Sequence, residues 1–318
     1  MRVAAIDCGT NTIRLLIARS ADAGEAPGAG LVELHRGMAY VRLGQGVDST
    51  GEFHADALRR TFAATEDFAR TIAEHDVDAV RFVATSAARD VRNREEFLAG
   101  VQSRLGVRPE VVTGAEEAEL SYTGAVSGLD TDLADPVLVM DIGGGSTELV
   151  LGTGGVITGS TSLELGSVRL TERMFTADPV PPRQWRAAAD LIDRMLDEAA
   201  GSPTAPIDLG TVRSWVGVAG TVTTMAAIAH GLQAYDRSVV HGSRLPAARV
   251  VELADWFATS TAQQRAVIPT LPPRRADVIA AGSLIAARVA ARVGTDLLVS
   301  ESDILDGIAL RLASPTIQ

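Results

Sequence analysis

One strand-turn-strand pattern with an aspartate at the turn occurs twice in this chain, and that repeat constrains the fold more than any other feature. Val3-Ala4-Ala5-Ile6-Asp7 runs into Cys8-Gly9-Thr10-Asn11-Thr12 and then Ile13 to Ala18. Val137-Leu138-Val139-Met140-Asp141 runs into Ile142-Gly143-Gly144-Gly145-Ser146-Thr147 and then Glu148 to Leu151. The two align without a gap at an offset of 141 − 7 = 134. Apolar runs broken by small polar turns predict hairpins, and a repeat at this distance predicts two copies of a domain instead of a short-period solenoid.

A third place continues the offset more weakly. Arg81-Phe82-Val83-Ala84 before Thr85-Ser86 lies opposite Trp215-Val216-Gly217-Val218 before Ala219-Gly220-Thr221. Both read as a strand feeding a helix with a hydroxyl near its start. Ala55 to Glu74 carries a helical stripe through Leu58, Phe62, Thr65/Glu66 and Phe68/Ala69/Ile72. Each half therefore reads as a hairpin sheet followed by alternating helices and strands, an α/β fold. Loops are expected at Ser20 to Gly30, Thr176 to Pro182 and Gly201 to Gly210. Near the end, a helix from about Arg275 to Val293, a strand at Leu297 to Ser300 and a helix from Asp303 to Leu312 are expected.

Composition removes several chemistries. All 29 basic residues are arginine, so a Walker A lysine, a kinase-type strand lysine and a lysine Schiff base are excluded. The net charge of −11 disfavours nucleic acid and acidic membranes as partners, so an anionic substrate must be held locally. A single cysteine, Cys8, forms no internal disulfide, and no signal peptide or long apolar run is seen; the expectation is a cytoplasmic enzyme.

A glycine-rich turn is by itself ambiguous, since Gly143, Gly144 and Gly145 could serve only a tight hairpin. Duplicated, and flanked by acids and hydroxyls, such turns suit a phosphate chain. Successive backbone N–H groups can point at an anion, Ser146 and Thr147 add donors, and Asp141 is placed to hold a hydrated Mg²⁺. Hydrolysis further needs a carboxylate to orient water. Glu116 and Glu117 follow the strand Glu110-Val111-Val112 at a helix start. Acids there also stabilise the helix dipole while facing solvent, and helix position alone favours that plainer account.

Together, Asp7 to Thr12, Gly114-x-Glu116-Glu117-Ala118, Asp141 to Glu148 and Gly217-x-Ala219-Gly220-Thr221 resemble the exopolyphosphatase and guanosine pentaphosphate phosphohydrolase (Ppx/GppA) family, in its short two-domain form. The resemblance implies duplicated actin-like, ribonuclease-H-like domains with the active site in the interdomain cleft. The expected boundaries are 1–125, with 301–318 packing back on it, and 126–300. It implies release of terminal orthophosphate from inorganic polyphosphate with Mg²⁺ (or Mn²⁺). Guanosine pentaphosphate is the alternative substrate, and an actin-like ATP-binding kinase or scaffold protein the alternative of another class. A homodimer is expected from the resemblance and from the prevalence of symmetric dimers.

Carried over residue by residue, the resemblance makes Glu117 the catalytic base and Glu116 its solvated neighbour. Asp141, supported by Glu148, becomes the metal site, with Asp7 its counterpart in the first domain. Phosphate binding falls to Gly9, Thr10, Asn11, Thr12, Arg89, Gly143, Gly144, Gly145, Ser146, Thr147, Gly220 and Thr221. One departure stands out: the family commonly has Arg-Glu-Gly in the terminal helix, where this chain has Leu305-Asp306-Gly307.

Overall fold

In a computed structural model, residues 1–21, 30–89, 91–203 and 206–314 are described. Most of the expected Ser20 to Gly30 loop and part of the Gly201 to Gly210 loop lie outside them. The chain divides into two compact units, Met1–Gly128 with Ser302–Gln318, and Leu129–Glu301.

Unit 1 contains β1 (Arg2–Cys8), β2 (Thr12–Ser20), β3 (Leu31–Tyr40), α1 (Val47–Thr50), α2 (Ala55–Ala73), β4 (Ala79–Ala84), α3 (Arg94–Leu105), β5 (Glu110–Val111) and α4 (Gly114–Ser127). Unit 2 contains β6 (Val137–Ile142), β7 (Thr147–Thr153), β8 (Val156–Leu163), α5 (Ser167–Met174), α6 (Pro182–Ala200), β9 (Ser214–Val218) and α7 (Ala219–Ala229). It continues with α8 (Arg237–Val240), β10 (Arg244–Leu245), α9 (Ala247–Thr259), α10 (Ala262–Ala266), α11 (Ile279–Ala290) and β11 (Leu297–Val299). The closing helix α12 (Ile304–Ala313) returns to unit 1.

The sheet of unit 1 has the order β3-β2-β1-β4-β5, with three antiparallel strands followed by two parallel ones. In unit 2 the order β8-β7-β6-β9-β11 repeats it, with β10 added antiparallel at the edge. Each unit is thus a ribonuclease-H-like α/β domain, the domain that is paired in actin-like proteins. The duplicated hairpins match in register: Asp7 lies opposite Arg14, and Asp141 opposite Glu148, at the same offset of 134 (141 − 7 and 148 − 14). The third repeat is displaced by one residue. Ile6 pairs with Phe82, 76 residues on (82 − 6), but Met140 pairs with Gly217, 77 residues on (217 − 140).

Strand alternation sorts the side chains of unit 1 onto two faces. Ala4, Ile6 and Cys8 join Ile13, Leu15, Ile17 and Phe82 in one core, which takes in Leu58 and Phe68 of α2 and Phe97 and Val101 of α3. Val3 and Ala5 join Leu16, Ala18 and Val83 in the other, beneath Leu120 of α4 and Ile304, Leu305 and Ile308 of α12. By parity Asp7 and Arg14 belong to this second face. Helix α2 buries Thr65 of the expected Thr65/Glu66 pair, and buries Thr61 more deeply than the expected Phe62. Each hydroxyl donates to the carbonyl four residues back, at 2.8 Å, so burial leaves no unpaired proton.

Helices α4 and α12 cross at glycines. A Cβ on Gly307 would lie 2.0 Å from Leu120 O, and one on Gly124 1.8 Å from Asp303 O. Leu305, at the position of the family arginine, is core; Arg36 of β3 meets the helix instead, 2.7 Å from Asp306. The helix from Arg275 begins later than expected: Pro273–Arg275 form a 3-10 turn and α11 starts at Ile279.

Candidate active site

In unit 1, strand β5 ends two residues before Thr113, whose hydroxyl caps α4 by accepting from Glu116 N at 3.2 Å. This seats Glu116 and Glu117 in the first turn. They part ways there. Glu116 is half-buried, with 34% of its side chain exposed, and pairs with Arg81 at 2.9 Å. Glu117 is buried and receives a hydrogen bond from the Arg89 guanidinium. Arg89 also donates through Nε to Val112 O at 3.3 Å. Two of the expected site residues, from segments 28 residues apart, are therefore directly paired. Two arginines that follow Arg89 in the sequence are engaged structurally: Arg94 donates to Arg89 O at 3.0 Å, and Arg92 to Thr50 O at 2.8 Å.

At the first hairpin tip, Gly9 N donates to Thr12 O at 2.9 Å. Thr10 and Ser86 share a buried hydroxyl contact at 3.1 Å, tying the tip to the end of β4. The backbone N–H groups of Thr10 and Asn11 have no acceptor among the described residues. Asp7 bonds Arg14 at 2.7 Å through one oxygen, while its other oxygen, and that of the Asn11 side chain, are buried without a hydrogen-bond partner. Burial raises the Asp7 carboxyl above its ordinary range, and Arg14 opposes that shift. Arg14 also reaches Asp303, the N-cap of α12. Cys8 is buried, and burial followed by the Asp7 charge pushes its thiol well above the usual range. A thiol held protonated is no nucleophile.

The second tip repeats the first: Gly143 N donates to Ser146 O at 3.0 Å, and the N–H groups of Gly144, Gly145 and Ser146 have no acceptor among the described residues. Thr147 is fully buried and donates its only hydroxyl proton to Leu165 O at 2.6 Å, which leaves none for an anion. Asp141 and Glu148 are both buried, side by side on one rung. Ser162, next along that rung on β8, donates to Glu148 Oε1 at 2.7 Å.

Further along unit 2, Ala219 adopts a left-handed φ of 63°, which costs an L-residue roughly 1–2 kcal/mol. The bend swings the chain from β9 into α7. There Gly220 O accepts from Arg275 at 2.6 Å, Arg275 also donates to Thr224 at 2.8 Å, and Thr221 is buried where α11 passes at Gly282. Sequence reasoning missed Arg275, which no pattern distinguishes from Arg274, and Arg81, which looks like an ordinary strand residue.

A divalent cation would find its fit at Asp141 and Glu148. Mg²⁺ typically takes one or two carboxylates and completes its shell with water and substrate phosphates. A buried acid pair suits that donor set. Among the described residues no group of three or more His, Cys, Asp or Glu forms an all-protein cage. Asp7 fits less well, since the guanidinium of Arg14 already stands where Glu148 stands in unit 2.

Two ribonuclease-H-like units, each with a hairpin tip whose N–H groups have no acceptor among the described residues, one carrying a carboxylate-arginine pair and the other an acid pair, suit an enzyme that handles a phosphate chain. The comparisons narrow it. Residues 16–308 match the model of the Ppx/GppA phosphatase family, and the chain belongs to that family. It is 48% identical over 322 aligned residues to Exopolyphosphatase 2 of Mycobacterium tuberculosis, covering 98% of each chain. Its structure matches the crystal structure of an exopolyphosphatase-like protein with a TM-score of 0.91 at 43% identity, over 98% of this chain and 99% of that one. An Aquifex aeolicus family member matches with a TM-score of 0.81 at 30% identity, over 98% and 97%.

Proposed function

We propose that this protein is an exopolyphosphatase, which hydrolyses the terminal phosphoanhydride of inorganic polyphosphate. The observation that carries the reading is the pairing of Glu117 with Arg89 at the start of α4, in a chain 48% identical to a protein named Exopolyphosphatase 2. Arg89 shifts from Glu117 to the nonbridging oxygens of the terminal phosphate, where its planar fork suits them. That exchange frees the carboxylate. Glu117 then accepts a proton from water as the water oxygen bonds to phosphorus in line with the departing bridging oxygen. In unit 2, the tip N–H groups of Gly144 and Gly145 are donors suited to oxygens of a phosphate chain.

Asp141, with Glu148 in support, would hold Mg²⁺ (or Mn²⁺), which neutralises charge on the phosphate chain when bound. Asp7, the counterpart of Asp141 in unit 1, is held by Arg14. The lone cysteine and the absence, among the described residues, of a helix long and apolar enough to cross a membrane fit a cytoplasmic setting. A homodimer is proposed from the prevalence of twofold assemblies.

Orthophosphate release from linear polyphosphates of several lengths, measured beside release from guanosine pentaphosphate, tests the reading. Higher kcat/KM on polyphosphate is expected. Turnover of the nucleotide alone would reverse the substrate assignment, and turnover of neither would end it.

A further inference from the structure

The free N–H groups at the tip of the second hairpin raise the question of what aims them. In a trans peptide the C=O of one residue and the N–H of the next point in opposite directions. A tip whose carbonyls are tied down on one side therefore presents its N–H groups on the other. The chain leaving β8 supplies those ties. Ser167 N donates to Gly143 O at 2.9 Å, and Val168 N and Arg169 N both donate to Gly144 O, at 2.8 and 3.0 Å. Ser167 Oγ adds a bond to Gly143 O at 3.2 Å, and Thr147 secures the incoming chain through Leu165 O at 2.6 Å. The peptides whose carbonyls are held are those that carry the N–H groups of Gly144 and Gly145.

Unit 1 is built the same way. After β3, Val41 N and Arg42 N donate to Asn11 O at 3.1 and 2.9 Å, and Gly44 N donates to Thr10 O at 2.9 Å. The Thr10 carbonyl belongs to the peptide carrying the Asn11 N–H. Two segments, each with a buried leucine before a closely packed glycine (Leu43-Gly44 and Leu165-Gly166), thus hold the tip carbonyls in both units.

We infer that Gly166 is a positioning residue for anion binding, because it lets the start of α5 lie flat against the glycine tip and hold the N–H groups of Gly144 and Gly145 toward phosphate. A Cβ at Gly166 would fall 2.4 Å from Gly144 C and 2.5 Å from both Gly144 O and Gly145 N. These are backbone atoms that cannot rotate away, so any side chain must push the tip itself. This inference rests on the proposed function, in which the tip binds phosphate.

The test is calorimetric binding of tripolyphosphate in a Glu117→Gln background, where the ligand survives, with and without Gly166→Ala. Thermal melting is read in parallel, and amide resonances of Gly144 and Gly145 are followed during the titration. The expected result is a Kd raised about tenfold or more, the loss of roughly one charge-assisted hydrogen bond, with cooperative melting retained and the two glycine amides no longer shifted by ligand. Thr147→Val, which removes only the bond to Leu165, should raise Kd by a smaller factor, and decides the matter if Gly166→Ala fails to fold. Kd unchanged in the folded variants overturns the inference and leaves the proposed function standing. If the Glu117→Gln parent binds no tripolyphosphate and the wild-type chain releases no phosphate from it, the proposed function and the inference fall together.

Discussion

Glu148 stands opposite Asp141 on the rung of the ladder that, in the first copy of the hairpin, pairs Arg14 with Asp7. The repeat has kept the backbone and reversed one charge. In unit 1 the aspartate faces a resident cation, whereas in unit 2 the same position holds a second buried acid, which suits it to join Asp141 in holding a divalent cation. Glu148→Gln should therefore raise the Mg²⁺ concentration giving half-maximal phosphate release by about tenfold or more. An unaltered Mg²⁺ titration would remove Glu148 from the metal site.

Glu117→Gln keeps the shape of the side chain and removes its basicity. Loss of a general base typically costs about 10²–10⁴ in rate, so kcat for polyphosphate should fall by that order. KM should not rise and should fall if anything, since Arg89 remains and no longer has a carboxylate competing for it. Phosphate release near the wild-type rate would reject the base assignment.

At the crossing of α4 and α12, Gly307→Ala would set a methyl 2.0 Å from Leu120 O. Forcing atoms into a packed contact costs about 1–3 kcal/mol, so the urea midpoint should drop markedly. An unshifted midpoint would mean that the helices can part without cost.

Asp193 of α6 faces Arg288 of α11, at 2.9 and 2.7 Å, and Arg292, at 2.5 Å. Burial pushes its carboxyl up, but the hydrogen bonds from Arg288 and Arg292 outweigh it and hold the group below the usual carboxylate range. A carboxylate depressed in the folded state adds stability above its unfolded pKa of about 3.9, and that stability fades as pH falls through the folded value. Asp193→Asn should thus cost up to about 1 kcal/mol at pH 7, the scale of a solvent-screened pair. The gap to wild type should close below about pH 4. Denaturant titrations at the two pH values check this, and a gap that widened in acid would contradict the sign.

Much of the architecture was legible because the repeat is written in residue types. Apolar runs broken by small polar turns after Asp7 and Asp141 announce paired hairpins, and the strand partners reproduce that pairing rung for rung. The edge strands β3 and β8 were less visible, since they carry exposed and half-buried residues in mixed order. The one-residue displacement at β9 was hidden too: parallel register is set by how helices pack over the sheet, which a gapless comparison does not see. In the candidate site, Glu116 and Glu117 are chemically alike in the sequence. Only the positions of Arg81 and Arg89 around the first turn of α4 distinguish them.

By itself the sequence determined a duplicated α/β chain with two small, acid-flanked turns and a helix opening on paired acids, because local pattern and spacing suffice to specify hairpins and helix starts. The tertiary structure decided which acid meets which arginine, that Thr147 has no proton left for a ligand, and that Gly166 braces the tip. Those outcomes depend on contacts between segments far apart in the chain, where the angle of a carbonyl or the absence of one methyl sets the geometry, and neither quantity is encoded in any single stretch of residues.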